Sequence, residues 1–95
     1  MTPGDLASRH APKIALLAPR LRALAERRGE YGVDASDTRR LGMAAGVITG
    51  AETRRDLSWL AVVPRRAGLV SRGVRPTYNA SGNRHTVYVA PEAGR

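Results

Sequence analysis

Apolar residues recur at helical spacing in the first third of the chain. Five of them fall within one narrow arc at about 100° per residue: Ile14, Leu17, Leu21, Leu24 and Ala25. This pattern predicts an amphipathic helix that has Pro12 in its first turn and ends at Gly29 and Gly32. Pro19 projects away from the apolar arc, which indicates either a kink that opens toward solvent or two helical segments that meet there.

A second helix is predicted to begin at Asp34, because Asp37 follows at the spacing of a capping pair. Val33, just before it, is expected to form a one-residue strand. Three residues share the inner face of this helix: Thr38, Leu41 and Ala45. Gly46 supplies a left-handed end, and Val47 and Ile48 are expected to be apolar anchors in the connection that follows.

A third helix is predicted to run to Ala67 and to end at Gly68. Two pairs have the spacing of a capping box at its start, and the sequence leaves the choice open: Thr49 with Glu52, or Thr53 with Asp56. One arc of the helical wheel is apolar: Leu57, Trp59, Leu60, Val63, Pro64 and Ala67. The opposite arc carries all four arginines of the segment, Arg54, Arg55, Arg65 and Arg66, together with Ser58, Ala61 and Val62.

Two strands are predicted after the third helix, over 69–75 and 84–90, with a turn-rich connection over 76–83. In the second strand His85, Val87 and Val89 alternate with Thr86 and Tyr88. The resulting fold class is α+β, with three helices followed by a two-stranded β-hairpin. The expected organisation is a polar N-terminal leader over 1–11, one domain over 12–91 and a tail over 92–95.

The charge of the 95-residue chain adds a functional indication, because a strongly basic domain suits a polyanionic partner. Sixteen Lys and Arg face eight Asp and Glu, a net charge of +8, and Lys13 is the single lysine. Residues 51–90 carry seven arginines and two acidic residues, a net charge of +5, whereas residues 1–50 have a net charge of +3. A GC-rich genome explains a high arginine content, but it does not explain this clustering, which favours a polyanionic partner.

Several function classes find no support in the sequence. No apolar run approaches the roughly 20 residues of a membrane span, and no signal peptide is visible, so a cytoplasmic protein without a membrane partner is expected. The chain has no cysteine, and its two histidines, His10 and His85, are far apart in sequence. No catalytic, phosphate-loop or metal motif is present. We therefore expect no enzyme, no metal and no cofactor.

The order of elements resembles a winged helix-turn-helix. Three stretches carry the resemblance: the VDASDTRRL entry at 33–41, the LSWLAVVPRRAGLV passage at 57–70 and the GNRHTVYV ending at 82–89. Together they are similar to small basic DNA-binding proteins of actinobacteria and their phages. The connection from Gly46 to about Thr53 is longer than the tight turn of the simplest helix-turn-helix, which leaves the start of the third helix open.

The resemblance implies that the third helix enters the major groove of double-stranded DNA and that the wing contacts the backbone or the minor groove. It implies groove-facing roles for four residues, Arg54, Arg55, Ser58 and Arg65, with Arg66 on the same basic face. It implies wing contacts for five: Arg72, Arg75, Asn79, Asn83 and Arg84. Ser36 and Thr38, at the start of the second helix, are further phosphate candidates. Trp59 is expected to anchor the core, and Tyr31 to lie at its edge.

The expected function is that of a sequence-specific transcriptional regulator. The alternative is a winged-helix module that binds a protein partner, or an accessory factor of recombination or replication. An ordinary solvated helix surface also explains exposed arginines on their own. RNA binding by an aromatic sheet is disfavoured, because the chain has four aromatic residues and no Phe. A homodimer formed through the first helix is a further alternative.

Overall fold

The computed structural model describes residues 9–76 and 84–91, which form three α-helices followed by a two-stranded antiparallel sheet. The helices are α1 (Ala11–Arg28), α2 (Ala35–Ala44) and α3 (Val63–Arg66), and the strands are β1 (Val70–Pro76) and β2 (Arg84–Val89). Two 3₁₀ helices, Gly29–Tyr31 and Ser58–Val62, precede α2 and α3. The α+β class is thus confirmed, and the layout is compatible with a winged helix.

Helix α1 follows its predicted pattern closely. Pro12 lies in the first turn, and the helix ends at Gly29, which has a φ of 59°. It is continuous across the exposed Pro19, so the alternative of two separate segments is wrong. Its inner face is buried at five positions: Ile14, Leu17, Ala18, Leu21 and Ala25. This face forms one side of the hydrophobic core.

The start of α2 is fixed by the predicted capping box. The Asp37 N–H donates to Oδ1 of Asp34 at 3.2 Å, and the Asp34 N–H donates to Oδ2 of Asp37 at 2.9 Å. The predicted strand at Val33 is also confirmed, because its N–H and carbonyl bond reciprocally with Tyr88 of β2 at 2.9 and 2.8 Å. Gly46, with a φ of 75°, follows the C-cap of α2 as expected. Both ends of α2 are therefore set by local chemistry.

The third helix is shorter and less regular than predicted. Instead of one helix reaching back to residue 49 or 53, the chain makes a turn over 54–57, then the 3₁₀ helix Ser58–Val62, then the single turn of α3. Pro64 contributes to the break before α3, since its nitrogen has no hydrogen to donate and its ring clashes with the carbonyl four residues back. Pro19 carries the same cost, and α1 nevertheless continues through it, so Pro64 is not the sole cause. An α-helix can therefore begin around Pro64 but cannot pass through it without cost.

Both candidate capping pairs form. The Thr49 N–H donates to the Glu52 carboxylate at 2.9 Å. Thr53 and Asp56 bond reciprocally, with Thr53 N–H to Asp56 Oδ2 at 3.3 Å and Asp56 N–H to Thr53 Oγ1 at 3.2 Å. Each pair closes a local turn in the connection, but neither caps a helix, because the 3₁₀ helix and α3 begin after Leu57 and Val62 without a side-chain cap. The predicted capping box of the third helix is therefore wrong.

The inside and outside of the third segment are nevertheless as predicted. Trp59 and Val63 are 1% and 0% exposed, and Trp59 is the predicted core anchor. Leu69, Ile48 and Ala90 complete the core from the other elements. None of the helices in the described part of the chain is long and apolar enough to cross a membrane.

The sheet carries one irregularity. The pairs Ser71–Tyr88 and Val74–Thr86 flank a β-bulge, in which two residues of β1 stand opposite Val87. The predicted alternation of β2 is confirmed, because Val87 and Val89 are buried while Thr86 is exposed. Strand β1 begins and ends one residue later than predicted, and β2 ends one residue earlier.

Candidate nucleic-acid interface

Three predicted site residues lie together on the turn before α3. The Leu57 N–H donates to the Thr53 carbonyl at 3.1 Å, which closes the turn, and the Ser58 hydroxyl donates to the Arg55 carbonyl at 2.9 Å. Arg54, Arg55 and Ser58 are all exposed. Residues 54–58, called the arginine ridge below, separate two surface grooves, because Arg54 lines one groove and Arg55 lines the other.

The first of these, the α2 groove, lies between the start of α2, the arginine ridge and β2, and has a volume of about 540 Å³. Its apolar lining comes from both sides of the groove: Leu57, Leu60, Ala61, Pro64 and Tyr88. Arg39 and Arg54 add positive charge to it. The Arg39 guanidinium also donates to the Gly50 carbonyl at 3.2 Å, which holds it against the connection.

The second, the α1 groove, lies between the N-terminal end of α1 and the arginine ridge and has a volume of about 590 Å³. The His10 ring stacks on Trp59, with ring centroids 5.1 Å apart and planes inclined by 16°. The Lys13 ammonium lies 5.8 Å from the centroid of the Trp59 ring. Partial burial, and then the positive charges of Lys13 and Arg9, lower the pKa of His10 below its ordinary value.

The carboxylates near the ridge are engaged by their own turns. Glu52 accepts hydrogen bonds from the Thr49 hydroxyl at 2.7 Å and from the Gly50 N–H at 2.8 Å. Hydrogen bonds from the side chain and then the backbone of Thr49 lower the pKa of Glu52 to about 2. Asp56 accepts the N–H of Thr53. Neither carboxylate forms an ion pair with a described arginine or lysine, so neither neutralises the ridge by direct contact.

Arg65 and Arg66 lie on α3 and are exposed, as predicted. Together with Arg54 and Arg55 they make four arginines on the outer side of a segment whose inner side is core. Within residues 9–76 and 84–91, none of these four forms an ion pair or a side-chain hydrogen bond. Their charge is therefore directed to solvent.

The wing arginines have a different environment. Arg75 stacks on Tyr31, with its guanidinium carbon 3.9 Å from the ring centroid, and donates to the Tyr31 carbonyl at 2.8 Å. Its Nη2 also lies 3.5 Å from Oδ2 of Asp34. Tyr31 is 60% exposed, so its expected place at the edge of the core is wrong, and it supports Arg75 instead. Arg72 is more open and pairs with Glu30 at 3.5 Å.

Three of the predicted wing contacts concern side chains outside the described part of the chain. Asn79, Asn83 and the side chain of Arg84 lie outside the described residues. The backbone of Arg84 pairs with Pro76 at the end of the sheet. The site residues that the structure brings together are thus those of the arginine ridge, and α3 follows after the rest of the 3₁₀ helix.

The two hydroxyls at the start of α2 have separate environments. Thr38 is 1% exposed, and its hydroxyl donates to the Asp34 carbonyl at 3.4 Å, so this hydroxyl is turned away from solvent. That the start of α2 donates to a phosphate stays a prediction. Ser36 lines the α2 groove. Behind them, Asp37 pairs with Arg28 at 2.8 Å and with Arg40 at 3.9 Å.

Sequence reasoning missed the residues of the α1 groove. His10 and Lys13 are three positions apart, a spacing that places both on one side of a helix and is visible in the sequence. In the folded chain they lie beside Trp59 and Arg55, which are more than forty positions away in sequence. No local sequence pattern predicts this proximity. Within the described residues, no three His, Asp or Glu side chains are grouped as a metal site would require.

Comparisons with protein-family models, with curated proteins and with solved structures found no match. The described surface offers a basic ridge, a basic α3 and two grooves that flank the ridge.

Proposed function

We propose that the chain is a winged-helix protein that binds double-stranded DNA and acts as a sequence-specific transcriptional regulator. One observation carries the proposal: the exposed arginines 54, 55, 65 and 66 project from the outer side of one segment and have no ion-pair partner among the described residues. Unpaired arginines on one surface favour the binding of a polyanion.

The dimensions of the segment suit the major groove. The helical part of the segment, Ser58–Val62 and Val63–Arg66, has the cross-section of a helix with its side chains, about 10–12 Å, and this is the dimension that must enter the groove. The major groove of B-DNA is about 12 Å wide. A guanidinium that reaches the groove can bond a guanine edge through two hydrogen bonds, which supports sequence readout by arginine.

Arginines elsewhere in the described chain provide a contrast. Arg28 and Arg75 each pair with an aspartate near the start of α2, and Arg75 also stacks on Tyr31. Arg72 is 42% exposed and lies at the β-bulge, where it can leave Glu30 for a backbone phosphate. We therefore assign base contacts at a specific site to Arg54, Arg65 and Arg66, which do not line the α1 groove, and phosphate contacts to the wing.

The test is fluorescence anisotropy with a random-sequence duplex, titrated between about 50 and about 200 mM salt. A random-sequence duplex offers no preferred bases, so the four arginines contact phosphates there instead. Four neutralised phosphates give a log–log slope of about −3.6, so affinity falls roughly 100-fold over this range. The double variant Arg54→Gln/Arg65→Gln should bind more weakly and lower the slope by about 2.

The matched control is Arg20→Gln/Arg27→Gln, which removes the same charge from exposed positions on the outer side of α1. It should change the slope by much less. Equal losses in the two double variants would mean that net charge alone attracts the DNA, and that the ridge is not the interface. Absence of binding at the lowest salt would end the proposal.

The α2 groove favours a second candidate, a module that binds a protein partner. Its lining is largely apolar, with Leu57, Leu60 and Pro64 on one side and Tyr88 on the other. Such a lining suits an apolar side chain of a partner, including one in a recombination or replication complex. This candidate predicts weak DNA binding that the Arg54→Gln/Arg65→Gln variant does not alter.

A further inference from the structure

The α1 groove holds a second group of basic side chains, apart from those assigned to the major groove. Arg9, His10 and Lys13 line it from the N-terminal end of α1, and Arg55 lines it from the ridge. The groove thus adjoins the proposed DNA surface, since Arg55 is next to Arg54 in the same turn. Its volume of about 590 Å³ is ample for a phosphate group.

The position of His10 is defined by Trp59. The two rings stack at a centroid distance of 5.1 Å, and Trp59 is itself 1% exposed and held by the core. Lys13, three residues on, lies 5.8 Å from the same ring. The imidazole is therefore supported by a ring that the core holds in place, and the Lys13 ammonium lies near the same ring.

The charges that face His10 come from both walls of the groove. Arg9 and Lys13 are on the side of α1, and Glu52, Arg55 and Asp56 are on the side of the ridge. Both carboxylates accept hydrogen bonds from their own turns. Arg9, Lys13 and Arg55 form no ion pair with a described carboxylate. Even with both carboxylates ionised, the groove has an excess of positive charge.

We propose that the α1 groove binds a backbone phosphate of the same DNA, with Lys13 and Arg55 as its permanent cations and His10 as a third that takes up a proton when the phosphate is bound. The inference rests on the proposed DNA binding and adds a regulatory property to it. The bound phosphate is a nearby negative charge that favours the imidazolium. DNA affinity therefore rises as the pH falls through the range in which histidine titrates.

The charges around His10 set the direction in which DNA affinity changes with pH. In the free protein, partial burial and the charges of Lys13 and Arg9 lower the pKa of His10, so the ring is neutral near pH 7. A phosphate opposes these two cations and raises the pKa in the complex. Proton uptake on binding then makes the affinity higher at low pH, by a factor of about ten for each unit by which the pKa rises.

The experiment measures DNA affinity by anisotropy at fixed salt from about pH 7.5 to about pH 5.5. The wild-type chain should bind about tenfold more tightly at the lower pH. His10→Phe retains a ring against Trp59 but cannot titrate, so its affinity should not change over this range. His85→Gln is the matched control, because it removes the other histidine of the chain and should leave the pH dependence intact.

A second readout comes from Trp59, the single tryptophan of the chain, whose emission reports the titration of the ring stacked on it. Its pH midpoint should be higher with DNA than without. Inorganic phosphate at the same ionic strength separates the two sources of a phosphate group. A midpoint raised by inorganic phosphate but not by DNA would mean a site for free phosphate and would overturn the assignment to DNA.

Lys13→Gln tests the permanent charge and should reduce the salt slope by about 0.9. If DNA binds through the ridge at pH 7.5 but neither the pH dependence nor the Lys13→Gln effect is found, this inference fails and the proposed function stands. If the pH dependence is lost in His85→Gln instead, the titrating group lies in the α2 groove. If DNA does not bind at any pH, both proposals fail.

Discussion

Gly32 lies where β2 passes directly against the chain that leads into α2. Its φ is +71°, a conformation that side chains other than glycine rarely adopt. A Cβ at this position would lie 2.5 Å from the Tyr88 carbonyl oxygen and 2.7 Å from Cγ1 of Val87. Both contacts are shorter than van der Waals packing permits, and one of them involves backbone. The bridge between Val33 and Tyr88 thus depends on the absence of a side chain one residue earlier.

Gly32→Ala should therefore lower the free energy of unfolding by about 2 kcal/mol or more, from the left-handed backbone and the close contact together. Gly46→Ala is the control, because Gly46 has a similar φ of +75° but no atom within 4 Å of the added Cβ. It should cost only about 1 kcal/mol. Urea unfolding monitored by Trp59 emission measures both. Equal costs would show that the contact with β2 contributes nothing.

Single residues also show where sequence reasoning stops. Asp34 and Asp37 were predictable as a capping pair because both partners lie within one turn of chain. The stacking of Arg75 on Tyr31 joins residues 44 positions apart, and neither residue type requires the other. A tyrosine in a short glycine-flanked turn is compatible with many environments, and so is an arginine in a strand. The contact between them is therefore seen only in the folded chain.

At the scale of elements, the start of α2 is the point at which α1, α2 and the sheet are joined by charge. Asp34 caps the helix and lies 3.5 Å from Arg75 of β1, while Asp37 pairs with Arg28 of α1. Partial burial by itself would raise the pKa of Asp34, but its hydrogen bonds with Asp37 and the charges of His85 and Arg75 lower it overall. The ionised carboxylate is therefore the form that stabilises this junction.

A lowered pKa in the folded state fixes how stability varies with pH. The contribution of Asp34 is complete above its ordinary pKa of 3.8 and is lost as the pH falls through the lower folded value. Asp34→Ala should cost about 1 kcal/mol at pH 7 through loss of the cap. Asp34→Asn retains a capping side chain, so it should cost less at pH 7 and weaken the loss of stability toward pH 3. Acid unfolding curves of the three proteins test this; identical acid dependence would contradict it.

The segment that leads into α3 shows a partial success of pattern analysis. The helical wheel placed Trp59 and Val63 inside and the arginines outside, and the structure agrees. The regular α-helix was wrong, and the wheel does not register one contribution to this, the missing N–H and the ring of Pro64. Sidedness survives because a 3₁₀ turn and an α turn differ by less than one residue per turn. Burial decides the side, and local sterics decide the helix type.

At the scale of the whole molecule, the arginines fall into two groups, one that pairs with aspartates and one that is exposed to solvent. Near the start of α2, Arg28 and Arg75 satisfy aspartates that the fold has partly or fully buried. On the ridge and α3 the arginines are exposed and have no ion-pair partner among the described residues. The first group should therefore matter for stability and the second for binding.

Arg28→Gln leaves Asp37, whose side chain is 6% exposed, without its closest cation. Removal of one partner from a buried pair costs about 3–5 kcal/mol, and the 30% exposure of Arg28 reduces the expected cost to about 1–2 kcal/mol. Arg54→Gln should change stability by less than about 0.5 kcal/mol. DNA affinity should show the reverse order. Urea unfolding measures the stability of the two variants, and anisotropy measures their DNA affinity. A parallel loss of stability and affinity in both variants would contradict the separation of the arginines into a stabilising and a binding group.

The sequence by itself determined the elements whose causes are local: the amphipathic α1, the capped α2 with its glycine end, the alternating β2 and the side of the third segment that faces the core. These follow from periodicity, capping chemistry and proline or glycine at single positions, which act within a few residues. Only the tertiary structure decided which charged and aromatic side chains contact one another across the chain. It placed Arg75 on Tyr31, Arg28 on Asp37 and His10 on Trp59, and it left the arginine ridge between two grooves. Such contacts depend on how the elements pack around the core, and the packing is fixed by the sum of many apolar contacts rather than by any pattern along the chain.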